Sequence, residues 1–128
     1  MLKALYMSSE VVQQAVLAQA KVLNMIADKG SCVIVGRAAD YVLKDRKNVL
    51  SIFCYAPDEY RISKITEMYG DTREEALKSM ESSDASRSSY YASISGQQWK
   101  DPHNYDLCLD CSCGVDEASK KILSYINS

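Results

Sequence analysis

Apolar and polar positions along this chain change period several times, and each change marks an element. Ser8 or Ser9 caps a helix whose Val12, Ala15, Val16, Leu23 and Ile26 fall near one stripe, with Gln19 as a polar interruption. Asp28-Lys29-Gly30 ends it, the glycine supplying a left-handed exit. Cys32-Val33-Ile34-Val35 is a short unbroken apolar run, the pattern of a strand covered on both faces. A short helix over 38–44 follows, and 49–55 reads as a second buried strand. Ala56-Pro57-Asp58-Glu59 closes that strand and opens a helix, since proline suits a first turn and acids suit its dipole. This helix runs to about Tyr69-Gly70.

Asp71-Thr72-Arg73-Glu74 then offers a cap, with Asp71 first and a glutamate three residues on, for a longer helix towards Tyr91. The serine-rich stretch 82–95 resembles low complexity, but Tyr90, Tyr91 and Ile94 recur at helical spacing, which predicts a polar-faced helix acting as a mobile flap. Residues 93–104 read as loop, 105–111 as a third strand, and 115–126 as a last amphipathic helix with Ala118, Ile122, Leu123 and Ile126 inward. Helices alternating with apolar strands predict an α/β fold, a parallel sheet flanked by helices, in a single domain over 1–128.

Composition narrows the function. The 128 residues, 47% of them hydrophobic, fit one domain with a sizeable core. A net charge of -2 and a pI near 5.4 argue against nucleic acid as a partner, because broad binding to it needs a basic stripe. No apolar run reaches membrane-spanning length, and Met1-Leu2-Lys3 leads into polar Ser8-Ser9-Glu10 and not a signal core, so no membrane is expected and the expected compartment is the cytoplasm. Five cysteines, an odd number, fit reduced thiols used as small buried hydrophobes. Cys108-Leu109-Asp110-Cys111 is a lone CxxC with His103 nearby, short of the four ligands of a closed zinc site, so no metal ligands are assigned. His103 has no serine nucleophile pattern beside it and reads as a structural loop histidine.

Four motifs carry candidate chemistry: Gly36-Arg37 after the first apolar run, Ala56-Pro57-Asp58-Glu59-Tyr60-Arg61 after the second, Asp84-x-x-Arg87 in the polar helix, and Tyr105-Asp106-Leu107-Cys108-Leu109-Asp110 as the last strand. Together with Gly96-Gln97-Gln98-Trp99 and Asp101-Pro102-His103-Asn104-Tyr105, they resemble the cytidylate kinase-like family over nearly all residues from Gly30 onward. The resemblance implies a P-loop NTPase fold of the nucleoside monophosphate kinase type, a CMP-like monophosphate as partner, and ATP with Mg2+ as cofactors. It places Arg37 on the acceptor phosphate, with Gly36 letting the substrate approach the backbone, and closes Arg87, oriented by Asp84, over the phosphates from a lid-like segment of about 71–104. On the residues alone, Arg37 reads equally as a solvated arginine and Asp84–Arg87 as an ordinary intrahelical ion pair.

Arg61, with Lys64, stands as a lid-hinge or phosphate residue or as part of a solvated helix face. Tyr60, Tyr69, Tyr90 and Tyr91 stand as base-stacking or packing groups. Two departures from the family pattern bear on the base. Asp40 stands two residues later than the family's aspartate, separated from Arg37 by Ala38 and Ala39, and an arginine expected one turn before Asp84 is replaced by Met80.

The donor side of such a kinase has no counterpart in this sequence. A triphosphate loop needs GxxxxGK[ST] or a variant, and no two of Gly30, Gly36, Gly70, Gly96 and Gly114 stand at that spacing. In kinases of this type the loop-bearing strand lies between the first and second strands of this chain. Without it the sheet is expected to hold a slot twice the usual strand spacing of about 4.8 Å, lined by unpaired backbone groups. Three outcomes are open: an upstream segment in a natural polypeptide of which this is a truncated form, a strand exchanged with a second copy in a homo-oligomer, or direct pairing of the two flanking strands. Two functions stay open with them, a nucleoside monophosphate kinase incompetent alone and a non-catalytic nucleotide-binding or assembly module; a cysteine-based metal module is a weaker third.

Overall fold

The structure, a computed structural model, describes residues 9–128. Helix α1 spans Ser9–Lys29 and α2 spans Ala39–Val42; strand β1, Ile52–Tyr55, leads into α3, Asp58–Tyr69, and α4, Arg73–Ser95. A single 3-10 turn at Pro102–Asn104 precedes β2, Leu107–Asp110, and another at Cys111–Cys113 precedes α5, Val115–Ile126. The two strands pair in parallel, Ile52 opposite Leu107 through Tyr55 opposite Asp110. The protein is thus mixed α/β, a small two-stranded parallel sheet with flanking helices.

Side chains at the sheet's entrance fix the register. The Asp106 carboxylate accepts hydrogen bonds from the Ser51 amide at 2.8 Å and its hydroxyl at 3.1 Å, while the Asp106 amide donates to the Ser51 carbonyl at 2.9 Å. A slip of one residue would break all three bonds and reverse the faces of every strand residue.

Helices α3 and α4 form an arm around a small core of Ile62, Ala76 and Met80, with Ile65 and Leu77 packed against it. Gly70, left-handed at φ 70°, ends α3. The capping box of α4 lies one residue later than the sequence pattern predicts. Thr72, not Asp71, is the cap, its hydroxyl accepting from the Glu75 amide while Glu75 accepts from the Thr72 amide at 2.9 Å. Both registers offered an acid three residues on; the hydroxyl's shorter reach fits the cap geometry. The helix continues past Tyr91 to Ser95, so the flap expected at 82–95 is a regular helical segment of 23 residues in all, and the loop begins at Gly96.

Helix α1 packs through Val16, Gln19, Ala20 and buried Leu23 and leaves Val12 and Ile26 exposed, so the stripe is turned from the expected one. Arg46 ties its last turns to the loop after α2, donating to the Asn24 carbonyl at 3.0 Å and to Asp28 at 2.6 Å. In α5 Ala118 is buried, but Leu123 and Ile126 are each 58% exposed and not inward. The cap expected at Ser8 lies outside the described residues.

The largest difference is at 32–35. This run pairs with nothing in the sheet, and Val33 and Val35 are 93% and 88% exposed where a buried strand was expected. Direct pairing with β1 therefore does not occur among the described residues. The cysteines also differ from expectation. All five are free, but Cys32, Cys54 and Cys113 are exposed and Cys108 and Cys111 only half-buried, because the sheet that would cover them has two strands. Among the described residues no helix is long and apolar enough to cross a membrane.

Candidate functional site

Asp84, on the inner face of α4, gathers the cations of the arm. Arg61, one turn into α3, donates to it through both terminal nitrogens, at 2.8 and 2.7 Å. Arg87, one turn further along α4, donates at 2.7 Å, and the Lys100 ammonium lies 3.7 Å away. Asp84 exposes 17% of its side chain and Arg61 25%, whereas Arg87 and Lys100 expose 55% and 62%. The inner pair is a half-buried brace and the outer pair faces solvent. Arg61's hydrogen bonds, followed by the nearby positive charges, hold the Asp84 carboxyl below its ordinary value against the opposing effect of burial. Hydrogen bonding to Asp84 in turn raises Arg61.

Trp99 supports the outer cations. Its indole packs edge-on against Phe53 of β1, ring centres 5.6 Å apart. The Arg87 guanidinium stands 4.9 Å and the Lys100 ammonium 5.7 Å from the indole centre, a cation–π arrangement that pins both without neutralising them. Three cations share one carboxylate here, and only Asp58, 3.9 Å from Arg61, adds a second. Of these cations Arg87 also borders a shallow depression lined by Ser82, Ser83 and Ser86. Hydroxyls beside a guanidinium suit a phosphate or other oxyanion.

Gly36, Arg37 and Asp40 lie elsewhere, against α1. Gly36, Arg37 and Ala38 all have positive φ, 74°, 61° and 52°. Only the first is a glycine, so the turn into α2 holds two residues in a region costing about 1–3 kcal/mol each. Arg37 joins Tyr41, Lys44, Ile94 and residues of α1 around a cavity of about 250 Å³. Asp40 accepts a hydrogen bond from the Tyr91 hydroxyl at 2.7 Å, joining α2 to α4, and Tyr90 donates to Gln19 of α1. Tyr91 is buried and its ring is 6.4 Å from that of Tyr105, whose hydroxyl donates to the Trp99 carbonyl at 2.6 Å. Burial raises both phenols, helped at Tyr91 by its hydrogen bond to Asp40 and at Tyr105, which reaches about 12, by the Asp40 charge, so both stay protonated donors.

The sequence-derived residues thus fall into two groups. Arg61, Asp84 and Arg87 come together on the arm, Gly36, Arg37 and Asp40 cluster beside α1, and Asp40, Tyr91, Tyr105 and Trp99 form a chain of contacts between them. Of the four tyrosines weighed for stacking, Tyr91 packs in the interior while Tyr69 is 70% exposed. Lys64 pairs with Glu67 at 3.7 Å on the solvated face of α3. His103 lies in a 3-10 turn, 93% exposed, its ring nitrogen 2.8 Å from Asp101. Trp99 enters the sequence analysis only as the end of the Gly96-Gln97-Gln98-Trp99 motif, with no role given to it, and Lys100 not at all.

The described residues do not form a site that fits a bound Mg-ATP. Gly114 does open a helix after β2, but its first turn carries Asp116 and Glu117, which place negative charge where a phosphate would sit. Among the described residues no three His, Cys, Asp or Glu side chains stand together to hold a metal ion. No phosphoryl-transfer step is derived from this chain.

Comparison with known proteins supplies the relationship. The model of the cytidylate kinase-like family matches residues 1–113, so the match reaches further toward the start than Gly30 and stops before α5. Among curated proteins none matches. A crystal structure of an uncharacterised protein from Eubacterium ventriosum is similar, with 30% identity and a TM-score of 0.85, over 91% of this chain. The chain spans 66% of that protein's length. With a family match that takes in both groups of site residues, this chain belongs to the cytidylate kinase-like family.

Proposed function

We propose that this chain supplies the acceptor-binding and lid portion of a nucleoside monophosphate kinase-like protein. The observation that carries the reading is the cluster on Asp84: one half-buried carboxylate and one indole hold three cations in fixed positions, and two of them, Arg87 and Lys100, face solvent. Such a surface attracts the phosphates of a nucleotide with little ordering cost, since the guanidinium is oriented before the ligand arrives. In this reading α4 with the Trp99 loop, about 71–104, is the lid, and Arg87 and Lys100 meet phosphate oxygens when it closes. Arg37 takes the acceptor monophosphate, and Gly36 keeps the backbone beside it open. Asp40, engaged by Tyr91, positions α2 against the lid and reaches the base only by exchanging that hydrogen bond.

A second reading, an assembly module without nucleotide binding or catalysis, is favoured by the 32–35 run. Its exposed valines suit a neighbouring strand, contributed by another part of the natural polypeptide or by a second copy. Calorimetric titration of the chain with CMP, AMP and ATP tests both readings. Saturable binding of a monophosphate, lost in Arg37→Ala and weakened in Arg87→Ala, supports the first. Unchanged affinity in both variants, or no binding at millimolar nucleotide, overturns it, and dimerisation in sedimentation without nucleotide binding then favours the second.

A further inference from the structure

We infer that the cavity between α1, α2 and the end of α4 binds a small apolar monocarboxylate, with Lys44 and Arg37 at its rim holding the carboxylate. The walls are Val16, Ala20 and Leu23 of α1, Val42 of α2 and Ile94 of α4, all buried or half-buried. Sequence explains the hollow. Val16, Ala20 and Leu23 follow one another at four and three residues and so share a face of α1, with a single methyl between two branched side chains. The volume of about 250 Å³ exceeds the roughly 150 Å³ that takes up benzene in an apolar interior, so a six-membered ring with a short chain fits.

The walls disfavour a nucleobase. None of the five carries a hydrogen-bonding side chain, and the Gln19 oxygen beside them already accepts from Tyr90. A base's polar edge would lose its water there without replacement. The rim has the opposite character. Arg37 and Lys44 are exposed, and among the described residues neither forms an ion pair. Asp40, the acid between them in sequence, turns its carboxylate to the Tyr91 hydroxyl. The Lys44 ammonium stands 4.1 Å over the centre of the Tyr41 ring, which also lines the cavity. That contact orients the charge without neutralising it. Two unneutralised cations beside an apolar hollow match a ligand with an anionic head and an apolar body, and a carboxylate offers the two oxygens that a guanidinium fork prefers. Lys44, which has no part in the proposed nucleotide site, carries the charge test.

The test titrates the full chain with 3-phenylpropionate at low salt, followed by ligand-detected NMR, with 3-phenylpropanol and inorganic phosphate as the neutral and the bodiless control. Saturable binding is expected. The alcohol binds about fivefold or more weakly, and Lys44→Met, which keeps the apolar stem, weakens the carboxylate about threefold or more. Ala20→Phe fills the hollow and abolishes binding. Should that variant fold poorly, Lys44→Met, at an exposed position, still decides. No saturation below about 10 mM, equal affinity for the alcohol, unchanged affinity in Lys44→Met, full binding in a folded Ala20→Phe, or inorganic phosphate competing as well as 3-phenylpropionate itself overturns the inference.

Discussion

Asp84→Asn isolates what the arm's carboxylate contributes, because it removes the charge while keeping the side chain's shape. In the native protein Asp84 is bound by both terminal nitrogens of Arg61, with 17% and 25% of the two side chains exposed. Hydrogen bonds to charged groups contribute about 1.5–3 kcal/mol each. Stripping one partner from a fully buried ion pair costs about 3–5 kcal/mol. This pair is partly wetted and asparagine keeps one acceptor, so the loss assigned to Arg61 is about 2 kcal/mol. Arg87 and Lys100, more than half exposed, add at most about 0.5 kcal/mol each.

Urea unfolding followed by the fluorescence of Trp99, the single tryptophan, reads the arm directly, since that indole lies under Arg87. A double-mutant cycle of Asp84→Asn with Arg61→Met is expected to give a coupling of about 2 kcal/mol, and the cycle with Arg87→Met less than about 0.5 kcal/mol. A coupling to Arg61 within about 0.5 kcal/mol of zero would refute the brace. The arm would then be held by the apolar cluster of Ile62, Ile65, Ala76, Leu77 and Met80 and the exposed Glu59–Arg73 pair, and the convergence of cations on Asp84 would contribute nothing measurable to stability.

Two further outcomes follow from the same arm. Met80 is 5% exposed in its core, so Met80→Ala is expected to cost about 2–4 kcal/mol and Met80→Leu less than about 1.5 kcal/mol, measured by the same denaturation. The Asp84 carboxyl titrates below its ordinary 3.8 in the folded state, so the unfolded chain takes up the proton first as pH falls. The brace's contribution is therefore complete above the unfolded value and lost as pH falls through the lower, folded one. Melting midpoints between neutral pH and pH 3 are expected to drop less steeply in Asp84→Asn than in the unmutated protein.

Local signals in the sequence located the helices well wherever the chain itself supplied the partner. Pro57 and the acids after it, the left-handed glycine at 70, and the final helix 115–126 are all determined within a turn of the residues that signal them. Errors arose where the deciding partner lay elsewhere. Leu123 and Ile126 share the apolar face of α5 with Ala118, yet only the end nearer the sheet is covered. The charge cluster was half legible. Asp84 and Arg87 share a helical face by spacing, but the guanidinium expected one turn before Asp84 along the same helix comes instead from Arg61 across the α3–α4 interface, while Met80 takes the vacated position into the core. A contact between helices 23 residues apart has no periodic signature. Lys100 and Trp99 were hidden for the same reason, since Phe53 on a distant strand sets the indole that Lys100 packs against.

The run at 32–35 shows most plainly what pattern alone determines. Four consecutive β-branched or small apolar residues prefer extended backbone, and the chain here is neither helical nor turned. Extension is local, whereas a strand is a relationship: its N–H and C=O groups must be matched by a neighbour and its side chains covered on both faces. Full burial of each valine is worth about 1.5 kcal/mol or more, and Val33 and Val35 gain almost none of it in the described structure. The preference for burial is written in the residues while the covering surface is not among those described. The site shares this condition, since Arg37 follows that run after Gly36 alone, and Arg37 and Ala38 both hold left-handed backbone there. Ordering 32–35 against a neighbouring strand would fix Arg37 beside the sheet's carboxyl edge, where parallel sheets gather ligands, and so couple completion of the sheet to the acceptor role proposed for Arg37.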